Sequence, residues 1–174
     1  MEHNTLWVDR GGTMVRLRVL RRDDVSWLPL FYYFTLFVPS GTSSPPWEIM
    51  GQAPFLYYLN GWGREGDMGF VLEESGWNEP IGMAWFRQFD AHHAGFGFID
   101  AHMPELVISL RPAFRGCGFG SELLLRLIQQ AQREGFNGLS LSVHRDNPAF
   151  QFYKRHSFES IFEKNPLYIM RLLF

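Results

Sequence analysis

The 174 residues hold a single cysteine, Cys117, so no intrachain disulfide can form; this fits a reducing, cytoplasmic setting. Basic stripes are missing too, and the net charge of −2 leaves none of the electrostatic footprint of a nucleic-acid binder. The longest apolar stretch, WLPLFYYFTLFV at 27–38, falls far short of the roughly 20 residues a membrane-spanning helix needs, so no membrane partner is expected. The opening MEHNTLWVDRGG has no apolar segment of the kind a secretion leader carries, and no signal peptide is expected. Internal repeats and heptads are absent from the pattern as well.

What is present suits one globular domain over residues 1–174, long enough to bury a core without staples. Aromatic residues reach 17%, which points to a bulky core or an aromatic-lined cleft. MVRLRVL (14–20) alternates as a half-buried strand does, and Asp23 or Asp24 is placed to cap the segment after it, where Pro29 blurs the helix start. PSGTSSPP (39–46) reads as a loop. Two strands are predicted around a turn at Gly76–Pro80, then a turn-rich connection, then a strand over ELVISL (105–110). Leu123, Leu124, Leu127, Ile128 and Ala131 form a helical stripe, with Gly135 where a left-handed C-terminal residue is wanted. LSLSV (139–143) alternates as a strand. Asn147-Pro148 supplies a cap and a first-turn proline for the next helix, and PLYIMRLLF closes the chain as a strand.

The stretch RGCGFG (115–120) runs from the ELVISL strand into the striped helix. A helix start exposes unpaired N–H groups and the positive end of its dipole. Glycines before it let the chain turn tightly and let a ligand approach without meeting a Cβ, which makes a nest for an anion such as phosphate. Arg115 adds a positive charge. The plain alternative is a glycine-rich turn with no ligand. A P-loop would need a lysine, which this loop lacks. A dinucleotide fold would need G-x-G-x-x-G, whereas Gly116, Gly118 and Gly120 stand at every second position.

At these residues the chain resembles the GNAT superfamily of acyl-CoA-dependent N-acyltransferases, whose hallmark [QR]-x-x-G-x-[GA] is matched by Arg115, Gly118 and Gly120. About 30 residues on, Asn147, Ala149, Tyr153 and Phe158 match the family's N…A…LY…GF pattern. GWGREGDMGFV, IGMAWFRQF, GFGFID and PELVISL are similar to one bacterial branch, so the likeness spans about 14–174. Two positions depart from the pattern: Phe152 replaces the leucine, and Ser157 stands where glycine is usual. A non-glycine in the left-handed region costs about 1 kcal/mol, so that helix end is expected to be looser or differently shaped.

The resemblance implies a mixed α/β fold with a mostly antiparallel central sheet, splayed at its middle and flanked by helices. It implies direct transfer of acetyl from acetyl-CoA to a primary amine of a small molecule, with no metal. Arg115, Gly116, Cys117, Gly118, Phe119, Gly120 and Ser121 would hold the pyrophosphate, the backbone of Ile108, Ser109 and Leu110 would follow the pantetheine arm, and Asn147 would cap its helix or bond the coenzyme. An amine is mostly protonated at neutral pH, so a base is needed. Glu105 is the choice, with Asp100 its rival and a solvated strand-end carboxylate the plain alternative. Tyr153 is assigned to the leaving thiolate, as acid or as hydrogen-bond donor; core packing is the other reading. Cys117 as a nucleophile and Asp90, His92, His93, Asp100 and His102 as a metal cluster are weaker readings than loop and turn residues. Trp62, Arg64, Trp85 and Arg87 line the acceptor side or sit in strand core and surface. A non-catalytic acyl-CoA sensor and a protein N-acetyltransferase are the alternatives, and assembly as a homodimer stays open.

Overall fold

The computed structural model describes residues 6–10, 12–74 and 79–174. The turn expected at Gly76–Pro80 lies mostly outside these residues, as does the start of the segment read for a leader. Among them eight strands form one sheet: β1 (Leu6–Arg10), β2 (Thr13–Val19), β3 (Met68–Glu74), β4 (Pro80–Arg87), β5 (Glu105–Leu110), β6 (Gly138–His144), β7 (Glu159–Lys164) and β8 (Leu167–Leu173). Their order is β1-β2-β3-β4-β5-β6-β8-β7. Every neighbouring pair is antiparallel except β5 and β6, which run parallel and are joined by one pair, Glu105 with Ser140. Past that pair the sheet opens at its centre, as expected. β1 and β7 are edge strands that sequence patterning did not reveal.

Four helices flank the sheet: α1 (Leu28–Tyr33), α2 (Phe55–Leu59), α3 (Phe119–Arg133) and α4 (Ala149–Arg155). The period-2 alternation of the strands sorts the core into two layers. Phe70, Leu72, Ala84, Phe86, Leu106 and Leu110 pack on the stripe of α3, which is formed by Leu123, Leu124, Leu127 and Ala131. The intervening residues Val71, Met83, Trp85 and Val107 pack on Leu28, Phe31 and Tyr32 of α1 and on Tyr58 and Leu59 of α2. Both faces of β4 are therefore covered, and all eight of its residues are buried.

Local chemistry accounts for the helix boundaries. Arg22–Trp27 forms a 3-10 segment, and Pro29 sits in the first turn of α1, where its missing N–H is not needed. Asp24, not Asp23, provides the cap: it accepts the Arg21 amide at 2.7 Å and holds the buried Arg18 guanidinium at 2.7 and 2.8 Å. Gly135, at φ +81°, ends α3 in a Schellman turn, with Phe136 N–H donating to Ala131 at 3.1 Å. The end of α4 is the same turn built on Ser157. At φ +65° it keeps both bonds, Ser157 N–H to Lys154 and Phe158 N–H to Tyr153, each at 3.1 Å. The helix end is thus not looser than a glycine-capped one; the serine is held in a disfavoured backbone region.

Because a Cβ is disfavoured at that φ, Ser157→Gly should raise the unfolding free energy by up to about 1 kcal/mol, the strain relief less the added freedom of the unfolded glycine. Urea denaturation of the two proteins checks it, and an unchanged midpoint would contradict the strain.

Candidate active site

The opening between β5 and β6 is where unsatisfied groups collect. The Pro104 carbonyl accepts from Ser140 on the β6 side, at 3.0 Å, and the Arg111 amide donates to Ile81 on the β4 side, at 2.8 Å. The parallel pair itself uses the Leu106 amide, which faces the Ser140 carbonyl; strand alternation then aims the amides of Ile108 and Leu110 into the gap and those of Val107 and Ser109 at β4. Of the three residues read as flanking pantetheine, Ile108 and Leu110 face the gap with their backbone. Ser109 does not, and its hydroxyl is engaged with the Phe31 carbonyl at 2.5 Å.

Beyond β5 the chain turns through Pro112–Phe114 and reaches the glycines. Gly116 and Gly118 have φ of +77° and +86°, and Gly118 is the N-cap of α3. Among the described residues the amides of Gly118, Phe119 and Gly120 donate to no protein acceptor, while the Ser121 amide turns back to Gly118 at 3.1 Å. The Phe119 side chain is buried, so only its backbone is offered to a ligand. Cys117 is exposed, with its thiol near the Arg115 carbonyl. Arg115 is tied down by the Leu110 carbonyl at 3.2 Å and the Phe34 carbonyl at 3.1 Å. A row of free amides with no Cβ at two of its three positions, beside a tethered guanidinium, fits a coenzyme pyrophosphate.

Glu105 lies where the strands part and is 2% exposed. Its Oε1 accepts the Tyr58 hydroxyl and, at 2.7 Å, the Gly97 amide; its Oε2 is buried with no partner. Burial is the main cause that pushes its carboxyl up, to about 7; the two hydrogen bonds and Lys164 pull the other way. Directly across the ladder stands Arg87, a ready counter-charge, but its guanidinium is already saturated. It holds Asp67 at 2.8 and 2.6 Å and the carbonyls of Tyr57, Asn60 and Gly61 at 2.8, 2.7 and 3.1 Å. Arg87 and Trp85 are therefore core residues, and Trp62 lies beneath the Arg87 guanidinium, 5.4 Å from ring centre to charge.

Tyr153 is the one buried residue of α4, packed against Phe152 and Phe158. Burial raises its phenol well above the ordinary value of 10, and among the described residues no group bonds its hydroxyl. Asn147 acts as the cap: its Oδ1 accepts the Ala149 amide and its carbonyl the Phe150 amide, both at 2.9 Å. Asp90 and Asp100 are exposed turn formers, Asp90 accepting the amides of His92 and His93, and Asp100 that of His102. Arg64 belongs to a pocket of about 530 Å³ shared with Tyr57, Gln88, Phe89, Asp90 and His93. The Phe89 ring packs on Tyr58 at 4.8 Å, one aromatic layer from Glu105. Tyr58, Gly95 and Gly97 were not singled out from sequence as partners of Glu105; the alternating glycines of GFGF were the available signal.

Residues 33–158 match the model of the acetyltransferase (GNAT) family. No curated protein sequence matches the chain. Among solved structures, the GNAT domain of S. lividans PAT superposes with a TM-score of 0.70 at 17% identity, over 98% of this chain and 97% of that one. The PaiA N-acetyltransferase of Thermoplasma acidophilum, in complex with coenzyme A, gives 0.66 at 19%, over 92% and 99%. YncA of Salmonella typhimurium, a putative acetyltransferase with acetyl-CoA, gives 0.64 at 20%, over 91% and 93%.

The raised carboxyl makes a prediction about stability. Between 4.5, an ordinary glutamate, and about 7, the folded protein holds a proton that the unfolded chain has released. Stability is therefore lost as pH rises through that window, by about 3 kcal/mol when complete. Glu105→Gln removes this titration. It should gain stability relative to the parent across the window and keep the gain above it, read from paired urea denaturation series. A difference between the two proteins that stays constant with pH would contradict the burial.

Proposed function

Because the chain belongs to the GNAT family of acetyltransferases, we propose that it moves the acetyl group of acetyl-CoA directly to the primary amine of a small molecule, with Glu105 as base. The observation that carries the proposal is the buried Glu105 carboxylate with one bare oxygen, at the point where β5 and β6 part.

Acetyl-CoA is the donor substrate. The free amides of Gly118, Phe119 and Gly120, with Arg115 beside them, are suited to its pyrophosphate, and the inner edge of β5 to its amide-bearing arm. The acceptor arrives as an ammonium without a lone pair. Glu105, with a carboxyl near 7, is matched to take its proton at neutral pH, directly or through water. The neutral amine then attacks the thioester carbonyl. An amide on the inner edge of β5, from Ile108 or Leu110, is oriented to hold the oxyanion. Collapse expels the thiolate. Tyr153 is a weaker acid than an ordinary phenol, so full proton transfer to a thiolate is uphill. Its chemistry favours donating a hydrogen bond to the developing charge over surrendering its proton.

We further read residues 1–174 as one domain.

Two expectations follow. Gly118→Val sets a branched side chain at φ +86° among the free amides, and should weaken acetyl-CoA binding at least about tenfold with little change in circular dichroism. Calorimetry on the folded variant checks it; unchanged affinity would remove the coenzyme from this loop. Tyr153→Phe should lower turnover by about 10²–10³-fold while leaving acetyl-CoA affinity within a few fold. Glu105→Gln should slow turnover mainly near neutrality and recover in part as pH rises, because more amine then arrives deprotonated. Rates come from thiol release over panels of small amines and of peptides. Wild-type rates in both variants would refute both roles, faster turnover of peptides would favour a protein acceptor, and tight binding of acetyl-CoA without any turnover would mean a sensor.

A further inference from the structure

The two oxygens of Glu105 are treated differently. Oε1 takes both donors that reach the carboxylate, the Tyr58 hydroxyl and the Gly97 amide, and Oε2 takes none. Tyr58 is itself fixed, because its oxygen accepts the Phe96 amide at 2.6 Å and its ring packs on Tyr32 at 4.7 Å and on Phe89 at 4.8 Å. The strap Gly95-Phe96-Gly97 completes the cradle. A Cβ at Gly95 would overlap both Oε2 and the Tyr58 hydroxyl. One at Gly97 would lie 2.8 Å from Oε1 and 2.7 Å from the Ser142 nitrogen of β6. Only glycine lets the strap lie this close to the carboxylate and to the Tyr58 hydroxyl.

We propose that Tyr58 is a positioning residue for the transfer: with the Gly95–Gly97 strap it locks Oε1, so that Oε2 alone exchanges the proton. The inference rests on the reading of Glu105 as base. Tyr58 touches neither substrate nor coenzyme in this role; it acts through Glu105. Its hydroxyl donates to the ionised carboxylate, so its removal disfavours that form, and a proton on Glu105 is then released only at higher pH. Among the described residues no other side chain donates to the carboxylate. Tyr32 of α1, its phenol raised by burial and by the charge of Glu105, bonds Tyr58 and not Glu105. Arg87 of β4 is saturated by Asp67 and backbone carbonyls, Lys164 at the end of β7 acts only as a distant charge, and the strap contributes backbone alone.

Tyr58→Phe keeps the ring and its packing, and it is the variant to test. The protonation of Glu105 is followed without any substrate, by infrared difference titration of the buried carboxyl, with Glu105→Gln identifying the band. The midpoint is expected to rise by about one pH unit or more in Tyr58→Phe. With an accepted amine, the acid limb of kcat/KM should move up by the same amount and turnover should recover above the new midpoint, with acetyl-CoA affinity unchanged. A loss of rate of the same size at every pH, or a carboxyl midpoint equal to the parent's, overturns the proposal. Wild-type turnover in Glu105→Gln would instead overturn the base assignment and leave the titration result standing, so the two failures are told apart.

Discussion

An unfinished hydrogen-bond ladder runs down the inner edges of β5 and β6, and much else follows from it. One parallel pair, Glu105 with Ser140, ties the strands. Beyond it the amides of Ile108 and Leu110 point into a gap. A buried backbone group left unpaired costs about 1–3 kcal/mol, so such an edge persists only where water or an extended polar chain lies along it. The chain leaving the end of β5 then reaches the free amides of Gly118 to Gly120 within one short turn. The open edge and the free amides thus belong to consecutive pieces of one strand–loop–helix unit, the unit proposed above to take the arm and phosphates of the coenzyme, and α3 covers it from one side of the sheet.

Two buried charges face each other across β4 and β5, and they are handled in opposite ways. Arg87 is satisfied five times over, by Asp67 and three carbonyls, and it pins the end of α2 and the turn after it. Glu105 receives two donors on one oxygen and no ion pair. Had Arg87 been free, the carboxyl would be held well below the usual range and would be a poor base near neutrality. With the guanidinium committed to Asp67, burial is the dominant influence on Glu105 and raises its carboxyl.

The central unit was legible because its signals are local. ELVISL, the alternate glycines, the stripe of α3 and the Asn147-Pro148 start each lie within a few residues of the feature they specify. β1 and β7 are short edge strands with charged or exposed residues, so their alternation is faint, and α2 is a five-residue helix behind Pro54 without a periodic stripe. Arg87 and Trp85 stayed ambiguous because burial on a strand covered on both faces erases alternation. The surroundings of Glu105 were illegible for a different reason: Tyr58 lies 47 positions away, and only the tertiary fold brings it to the carboxylate. Ser109 shows the limit of spacing alone, since adjacent strand residues send their amides to opposite sides.

Arg115 joins the two halves of the site. It begins the glycine loop, yet its guanidinium is bonded to the Leu110 and Phe34 carbonyls, so its charge is fixed by β5 and by the end of α1. Three residues past Phe34, the Phe37 ring meets His144 at the end of β6, 4.9 Å between centres. The segment after α1 therefore bridges the glycine loop and the far strand of the gap. Any anion that draws on the Arg115 charge competes with the Leu110 carbonyl of β5 and the Phe34 carbonyl at the end of α1. Through this one side chain the loop is tied to α1, whose Tyr32 ring packs on Tyr58, the donor to Glu105. The guanidinium beside the glycine loop and the helix that packs on Tyr58 are thus joined by one hydrogen bond.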